Sequence, residues 1–312
     1  MATMVLLFLL LAISFSFLSK GAFLRPKNLV NILNAMAVTA LLTVGVSLLM
    51  ISGKLDLSTG SIGTLCGMVL AAALRIGFPL IPALLVTIVL GAAIGLFNAM
   101  IVNEMQVAPF IATLASSSIV TGFVFLAANK QAIDITLPIL RKFGTTTLFD
   151  YIPLTSLFAF VLMLIVGLIL HKTKFGRHIY LVGGNPHAAM LSGINPKRMS
   201  YILFTNCGLF SALAGIVMVA RNGTATITGL TNQRFQGITA AILGGIAFGG
   251  GSGGMAGAFV GLLVLNTFNN GMTVIGINIY YQNVASGLLL IFALALDHFY
   301  SKQRMKSVEL VT

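Results

Sequence analysis

Long apolar runs, each close to the length a helix needs to cross a bilayer, recur along almost the whole chain and leave few folds open to it. A helix spans the hydrocarbon layer with about 20 apolar residues. Backbone amides in lipid must be satisfied internally, so only helices and closed β-barrels cross it. A barrel would show short strands alternating apolar and polar residues. Runs such as Ile152–Leu170 do not alternate, so the expected fold is all-α and polytopic. Charge agrees: charged residues make up 8% of the 312 residues, whereas a soluble domain carries roughly a quarter. The surface of this chain has to meet membrane lipid.

The runs divide as follows. The first, Ala2–Ser19, has no basic segment before it, and Lys20-Gly21-Ala22-Phe23 after it is a poor cleavage site, so it reads as a retained span. Further runs cover 30–52, 57–74, the stretch from Pro79 and Pro82 to Val102, and 109–128. A polar connection from Asn129 to Asp150, holding Lys130, Asp134, Arg141 and Lys142, precedes the sixth run, 152–170. The longest polar stretch, His171–Ser200, leads to 201–220, and Arg221–Gln236 leads to a short run, 237–248, that ends in a glycine-rich segment. Runs at 255–268 and 279–296 and a basic tail with Lys302, Arg304 and Lys306 close the chain. This predicts about ten spans, or eight or nine if the short ones are re-entrant, in a single domain over 1–312 with a loop at about 171–200.

The eighteen basic residues outnumber six acidic ones. They flank the apolar runs, as membrane proteins place them, and do not form a nucleic-acid surface. With both termini on one side they divide evenly between the faces, so charge alone does not orient the chain. Cys66 and Cys207 sit inside apolar runs as small hydrophobes, and the four histidines lack metal-binding spacing. No catalytic constellation, cofactor motif or metal set is expected. Gly91-Ala92-Ala93-Ile94-Gly95-Leu96 echoes Gly257-Ala258-Phe259-Val260-Gly261-Leu262. Small residues four apart make close helix-packing faces. Under a ten-span topology the two helices run oppositely, as an inverted repeat requires.

Two breaks in the apolar pattern carry candidate chemistry. Asp56 lies within Gly53–Gly60, close to apolar runs on both sides. A carboxylate there either caps the following helix with Ser58 or lines a polar path. In the long polar loop, Asn185 is a good N-cap and Pro186 a good first helical residue. Ala188, Ala189 and Leu191 favour helix, and Gly193 with Pro196 stops it. The result is a helix of about two turns between spans six and seven, too short to stand alone, which must dock on this chain or on a partner.

That loop, Gly184-Asn185 followed by Ala188-Ala189 and Ser192-Gly193-Ile194, resembles the cytoplasmic coupling segment of bacterial ABC sugar-importer permeases of the ribose, xylose, arabinose and galactose type. Four further stretches agree in order. Leu55-Asp56-Leu57-Ser58 with Gly60-Ser61 resembles that family's G-I-D-L-S-x-G-S, and Pro109–Leu114 its x-F-I-A-T-L element. Ala240-Ala241 through Gly253 resembles its glycine-rich run, and Asn269-Asn270-Gly271 its N-N-G. The chain departs from the pattern at Lys54-Leu55, which replaces Gly-Ile, and at Gln233-Arg234-Phe235-Gln236, which replaces an acidic x-E-L-D.

The resemblance implies the permease subunit of an ATP-driven, binding-protein-dependent importer in a bacterial cytoplasmic membrane, with a monosaccharide or related polyol as solute. Its partners would be a cytoplasmic ATP-binding subunit, a periplasmic or lipoprotein substrate-binding protein and a second permease chain, identical or sibling. Gly184, Asn185, Ala188, Ala189, Ser192, Gly193 and Ile194 would couple to the ATPase. Asp56, Ser58, Phe110, Thr113, Asn269 and Asn270 are the pathway candidates. The chain lacks G-x-x-x-x-G-K-[ST], so ATP hydrolysis would belong to a partner. An ion-coupled secondary transporter is the alternative, but it calls for several intramembrane carboxylates where this chain offers Asp56.

Overall fold

The computed structural model describes residues 2–128, 131–135, 137–231 and 233–309. Asn129 and Lys130, and the side chains of Lys302, Arg304 and Lys306, lie outside the described residues. Each of the ten apolar runs contributes a helix: α1 (Ala2–Leu18), α2 (Pro26–Ile51), α3 (Thr59–Arg75), α4 (Leu80–Glu104), α5 (Pro109–Ala128), α7 (Leu154–Lys172), α10 (Pro196–Asn222), α11 (Gln233–Leu243), α12 (Met255–Val274) and α13 (Ile279–Glu309). Three helices lie in the polar connections: α6 (Pro138–Thr145), α8 (Lys174–Gly184) and α9 (Pro186–Leu191). By length and apolar composition α2, α4, α5, α7 and α10 each suffice to cross a membrane.

Helices α2 and α10 form the buried centre. Met36 to Ile51 of α2 are buried throughout, and α10 packs on α2, α3 and α4. The approach is close because glycines face backbone. A Cβ on Gly208 would fall 2.1 Å from the Gly91 carbonyl oxygen, and one on Gly95 2.2 Å from that of Phe204. On the other side of the bundle, a Cβ on Gly257 would meet the Gly244 carbonyl at 2.0 Å, and one on Gly261 that of Ala240 at 2.1 Å. The echoing glycine pairs are thus both close-packing faces.

They also occupy matching places in two halves of opposite direction. Helix α2 ends, the chain breaks at 52–58, and α3 then runs parallel to α10: Gly63 sits at Ser211 and Gly67 at Gly215. Helix α10 ends, the chain turns back from Gly223, and α11 runs beside α2, with Gly237 against Leu42. In the first half α3 packs on α10, α4 and α5; in the second, α11 packs on α2, α12 and α13. The units α2–α5 and α10–α13 therefore repeat one packing scheme upside down, an arrangement that builds a site where the halves meet.

The short eighth run differs from its sequence outline. Helix α11 begins at Gln233, four residues before the apolar run, and stops at Leu243. Gly245 takes φ +83°, which terminates the helix although Ile246–Phe248 continue the apolar composition. The face carrying α8 and α9 also carries the ends of α2, α4 and α7 and the starts of α10 and α12; it is called here the coupling face. The opposite face carries α6, the antiparallel pair β1 (Ile133–Asp134) with β4 (Thr224–Ala225), and the hairpin β2 (Thr147–Leu148) with β3 (Ile152–Pro153).

Candidate functional site

Two places stand out: the junction where α3 and α11 begin, and the elbow of α8 and α9. At the junction the break at 52–58 is held by polar side chains. Asp56 is fully buried. Its Oδ1 accepts from the Ser58 amide at 2.7 Å and the Ser58 hydroxyl at 2.5 Å, and its Oδ2 accepts from Asn98 Nδ2 at 3.3 Å. Asn98 also donates to Ser58 Oγ at 2.8 Å. Thr113 Oγ1 accepts from the Leu57 amide at 3.1 Å and donates to the Pro109 carbonyl. Asp56, Ser58 and Thr113 thus pin the start of α3 to α4 and α5. Asn98 carries no local signal of this role, which appears only when α4 lies beside the break.

The second half-helix meets the first there. A Cβ on Gly60 would lie 2.5 Å from the Leu230 carbonyl and 3.1 Å from Arg234 Cβ. The Leu230 amide donates to Thr64 Oγ1 at 2.9 Å. Arg234 Nη1 donates to Ser117 Oγ at 3.2 Å, and Ser61 Oγ to the same oxygen at 3.2 Å. Ser117 is the ninth residue of α5, which begins at the coupling face. At 1.5 Å per residue that places the junction about 12 Å inside. Arg234, which the sequence places in the polar connection 221–236, therefore lies well inside the bundle, at membrane depth.

The remaining pathway candidates are elsewhere. Phe110 is 54% exposed at the start of α5. Asn269 and Asn270 lie within α12, not in the turn after it. Asn270 exchanges hydrogen bonds with Asn28 at 2.8 and 3.1 Å, and Asn269 Oδ1 accepts from Ser286 Oγ at 3.1 Å. They tie α12 to α2 and α13 respectively.

Lys54, also in the break, lies at the coupling face, where Nζ donates to Ser200 Oγ at 2.6 Å and Asn103 Oδ1 at 3.2 Å. Burial without a carboxylate lowers its pKa to about 8. The folded protein thus binds its proton less well than the unfolded chain. The resulting penalty is complete below pH of about 8 and fades as pH rises toward the ordinary lysine value of about 10.4. Lys54→Met is expected to raise thermal stability in detergent most at neutral pH, with a smaller gain near the ordinary lysine value. An equal gain at both would exclude charge burial as the cause.

At the elbow, Thr173 caps α8 by accepting from the Gly176 amide at 3.2 Å. The basic residues give this stretch the composition of a loop, but Phe175, Ile179 and Val182 mark a helical face. Ile179 and Val182 are buried. A Cβ on Gly183 would lie 1.8 Å from the Ile51 carbonyl and 2.7 Å from the Gly251 amide, so α8 sits directly under both the end of α2 and the glycine loop after α11.

Asn185 then ends α8 and caps α9, its Oδ1 accepting from the His187 and Ala188 amides at 3.0 Å each. Gly193, at φ +78°, closes α9: its amide donates to the Met190 carbonyl, and that of Ile194 to Ala189, the Schellman pattern. Only Ala189 of α9 is buried. Ala188, Ser192 and Gly193 are exposed, Met190 is 50% exposed and Leu191 92%.

The capped short helix α9 thus turns its largest apolar side chain, Leu191, outward. Residues 28–294 match the family of permease components of branched-chain amino acid transport systems. The chain belongs to this permease family. It is 33% identical over 280 residues to the ribose import permease of Escherichia coli, covering 88% of this chain and 87% of that one. The D-allose transport system permease of Escherichia coli is 32% identical, covering 92% and 88%. The xylose transport system permease of Haemophilus influenzae is 30% identical, covering 91% and 92%. The protein is accordingly a multi-pass membrane permease and a transport subunit.

Proposed function

We propose that this permease is the membrane-spanning subunit of an ATP-driven importer for a monosaccharide or related small polyol in a bacterial cytoplasmic membrane. A cytoplasmic ATP-binding subunit docks on α9, a periplasmic or lipoprotein binding protein delivers solute at the opposite face, and a second permease chain completes the pathway. The observation that carries the reading is the elbow: α9 presents Leu191 and Met190 outward on a frame fixed by Asn185 and Gly193. Similarity to ribose, allose and xylose permeases supports the sugar class and favours ATP over ion coupling.

The packing supplies a route for the stroke. Helix α8 touches Ile51 and Gly251 through Gly183, and these residues lie on the coupling-face ends of the two halves. Ile51 leads into the break and α3; the glycine loop leads back to α11. A push on α9 therefore reaches both half-helices through α8. In this reading Gly184, Asn185, Ala188, Ala189, Ser192, Gly193 and Ile194 form the docking elbow. Asp56, Ser58 and Thr113 frame the pathway at the junction, while Phe110, Asn269 and Asn270 shape its ends.

The test is uptake into proteoliposomes holding this chain with its cognate ATP-binding subunit and binding protein, using labelled ribose, allose, xylose, galactose and arabinose together with the sugar acids D-ribonate and D-ribose 5-phosphate. Uptake of one of them that requires ATP and both partners is expected. Uptake driven by a proton or sodium gradient without ATP would overturn the reading.

A further inference from the structure

The junction carries a positive charge that no carboxylate among the described residues neutralises. Arg234 stands in the first turn of α11, its guanidinium 4.8 Å from the centre of the Phe235 ring and bonded to the Ser117 hydroxyl. No carboxylate answers it among the described residues. Asp56 is engaged by Ser58 and Asn98. Glu104 pairs with Lys197 at 2.7 Å and accepts from Tyr201 at the coupling face. Asp134 and Asp150 lie at the opposite face, in β1 and before β3.

Four polar atoms around the junction are buried without a hydrogen-bond partner: the donors Arg234 Nε and Thr59 Oγ1, and the amide oxygens Gln233 Oε1 and Asn98 Oδ1. Thr59 is fully buried and begins α3. The amino-terminal ends of α3 and α11 also converge there, and each adds positive partial charge. An ionisable side chain at membrane depth is costly and marks a site, and half-helix amino termini in transporters point at anionic groups of the solute.

We propose that this junction is a recognition point for an anionic group, so that the solute is an acidic sugar bearing a carboxylate or phosphate. Arg234 is the charge partner, the Thr59 hydroxyl donates to the anion beside it, and Gln233 Oε1 accepts from a hydroxyl of the sugar. This rests on the import reading above and narrows its substrate class. Neutral sugars are satisfied by hydroxyl and amide groups and give no reason to hold an unpaired guanidinium in the membrane.

The test begins with the chain alone in lipid nanodiscs, following modification of Arg234 by phenylglyoxal with peptide mass spectrometry. D-Ribose, D-ribonate, D-ribose 5-phosphate and inorganic phosphate are the protectants. One of the two sugar acids is expected to slow modification about tenfold relative to D-ribose, and which one does so tells carboxylate from phosphate. Equal protection by D-ribose, protection by inorganic phosphate as strong as by either sugar acid, or no protection, overturns the proposal.

In the reconstituted importer, Arg234→Lys is expected to retain uptake of the protecting acid and Arg234→Gln to lose about nine-tenths of it. Equal uptake by the two variants also overturns the proposal. ATP-driven uptake of neutral sugars alone would leave the import reading standing and remove only the anionic one, whereas ATP-independent uptake would remove the import reading itself.

Discussion

Leu191→Asp is expected to abolish most ATP-dependent uptake while leaving the protein inserted and folded. Leu191 is 92% exposed, so in the free chain the substitution removes no internal contact, and exposed positions of this kind change stability by about 0.5 kcal/mol or less. In a docked complex the same side chain would be buried, and covering a leucine contributes about 1.5–3 kcal/mol. Placing a carboxylate there adds a desolvation penalty, so ATPase affinity should fall by about a hundredfold. The measurement is co-purification of the ATP-binding subunit together with uptake, against Leu191→Met as a control that keeps apolar volume. Normal uptake by Leu191→Asp would remove α9 from the coupling surface.

The elbow was readable because its determinants are local. Asn185, Pro186 and Gly193 act within one turn of their own backbone, and their residue types announce the cap, the first turn and the stop. Helix α8 was less visible. Its apolar face is Phe175, Ile179 and Val182, and the basic residues between them carry the composition toward loop.

The junction depends on contacts between segments far apart in sequence. Asp56 could be recognised as a helix-breaking polar residue, but its partner Asn98 is 42 positions away. Arg234 bonds Ser117, 117 positions away, and so looked like one more basic residue outside the membrane. The glycine echo lay between. Its spacing identified close packing, but only the opposed courses of α4 and α12 show that it belongs to two inverted halves. Hydropathy found the ten helices, while backbone geometry at Gly245, invisible to it, decided where α11 ends.

Gly183→Val is expected to uncouple the elbow from the bundle. The added Cβ would stand 1.8 Å from the Ile51 carbonyl oxygen and 2.7 Å from the Gly251 amide. Real Cβ atoms do not approach backbone so closely, so α8 has to move off the end of α2, off the glycine loop, or both. Small-to-large changes in packed sites cost about 1–3 kcal/mol and more where backbone must shift. Because α8 lies beneath the bundle, the displacement should leave the spanning helices assembled and the exposed face of α9 intact. The ATP-binding subunit should then still bind and hydrolyse ATP, while uptake falls by about tenfold or more. Gly184→Ala is the control, since a Cβ there meets nothing within 4 Å. Near-normal uptake with Gly184→Ala and loss with Gly183→Val would locate the transmitting contact between α8 and the two half-helix supports. Equal loss in both variants would instead assign it to the partner's surface, and a failure of Gly183→Val to bind the ATPase would show that α8 and α9 move as one rigid piece.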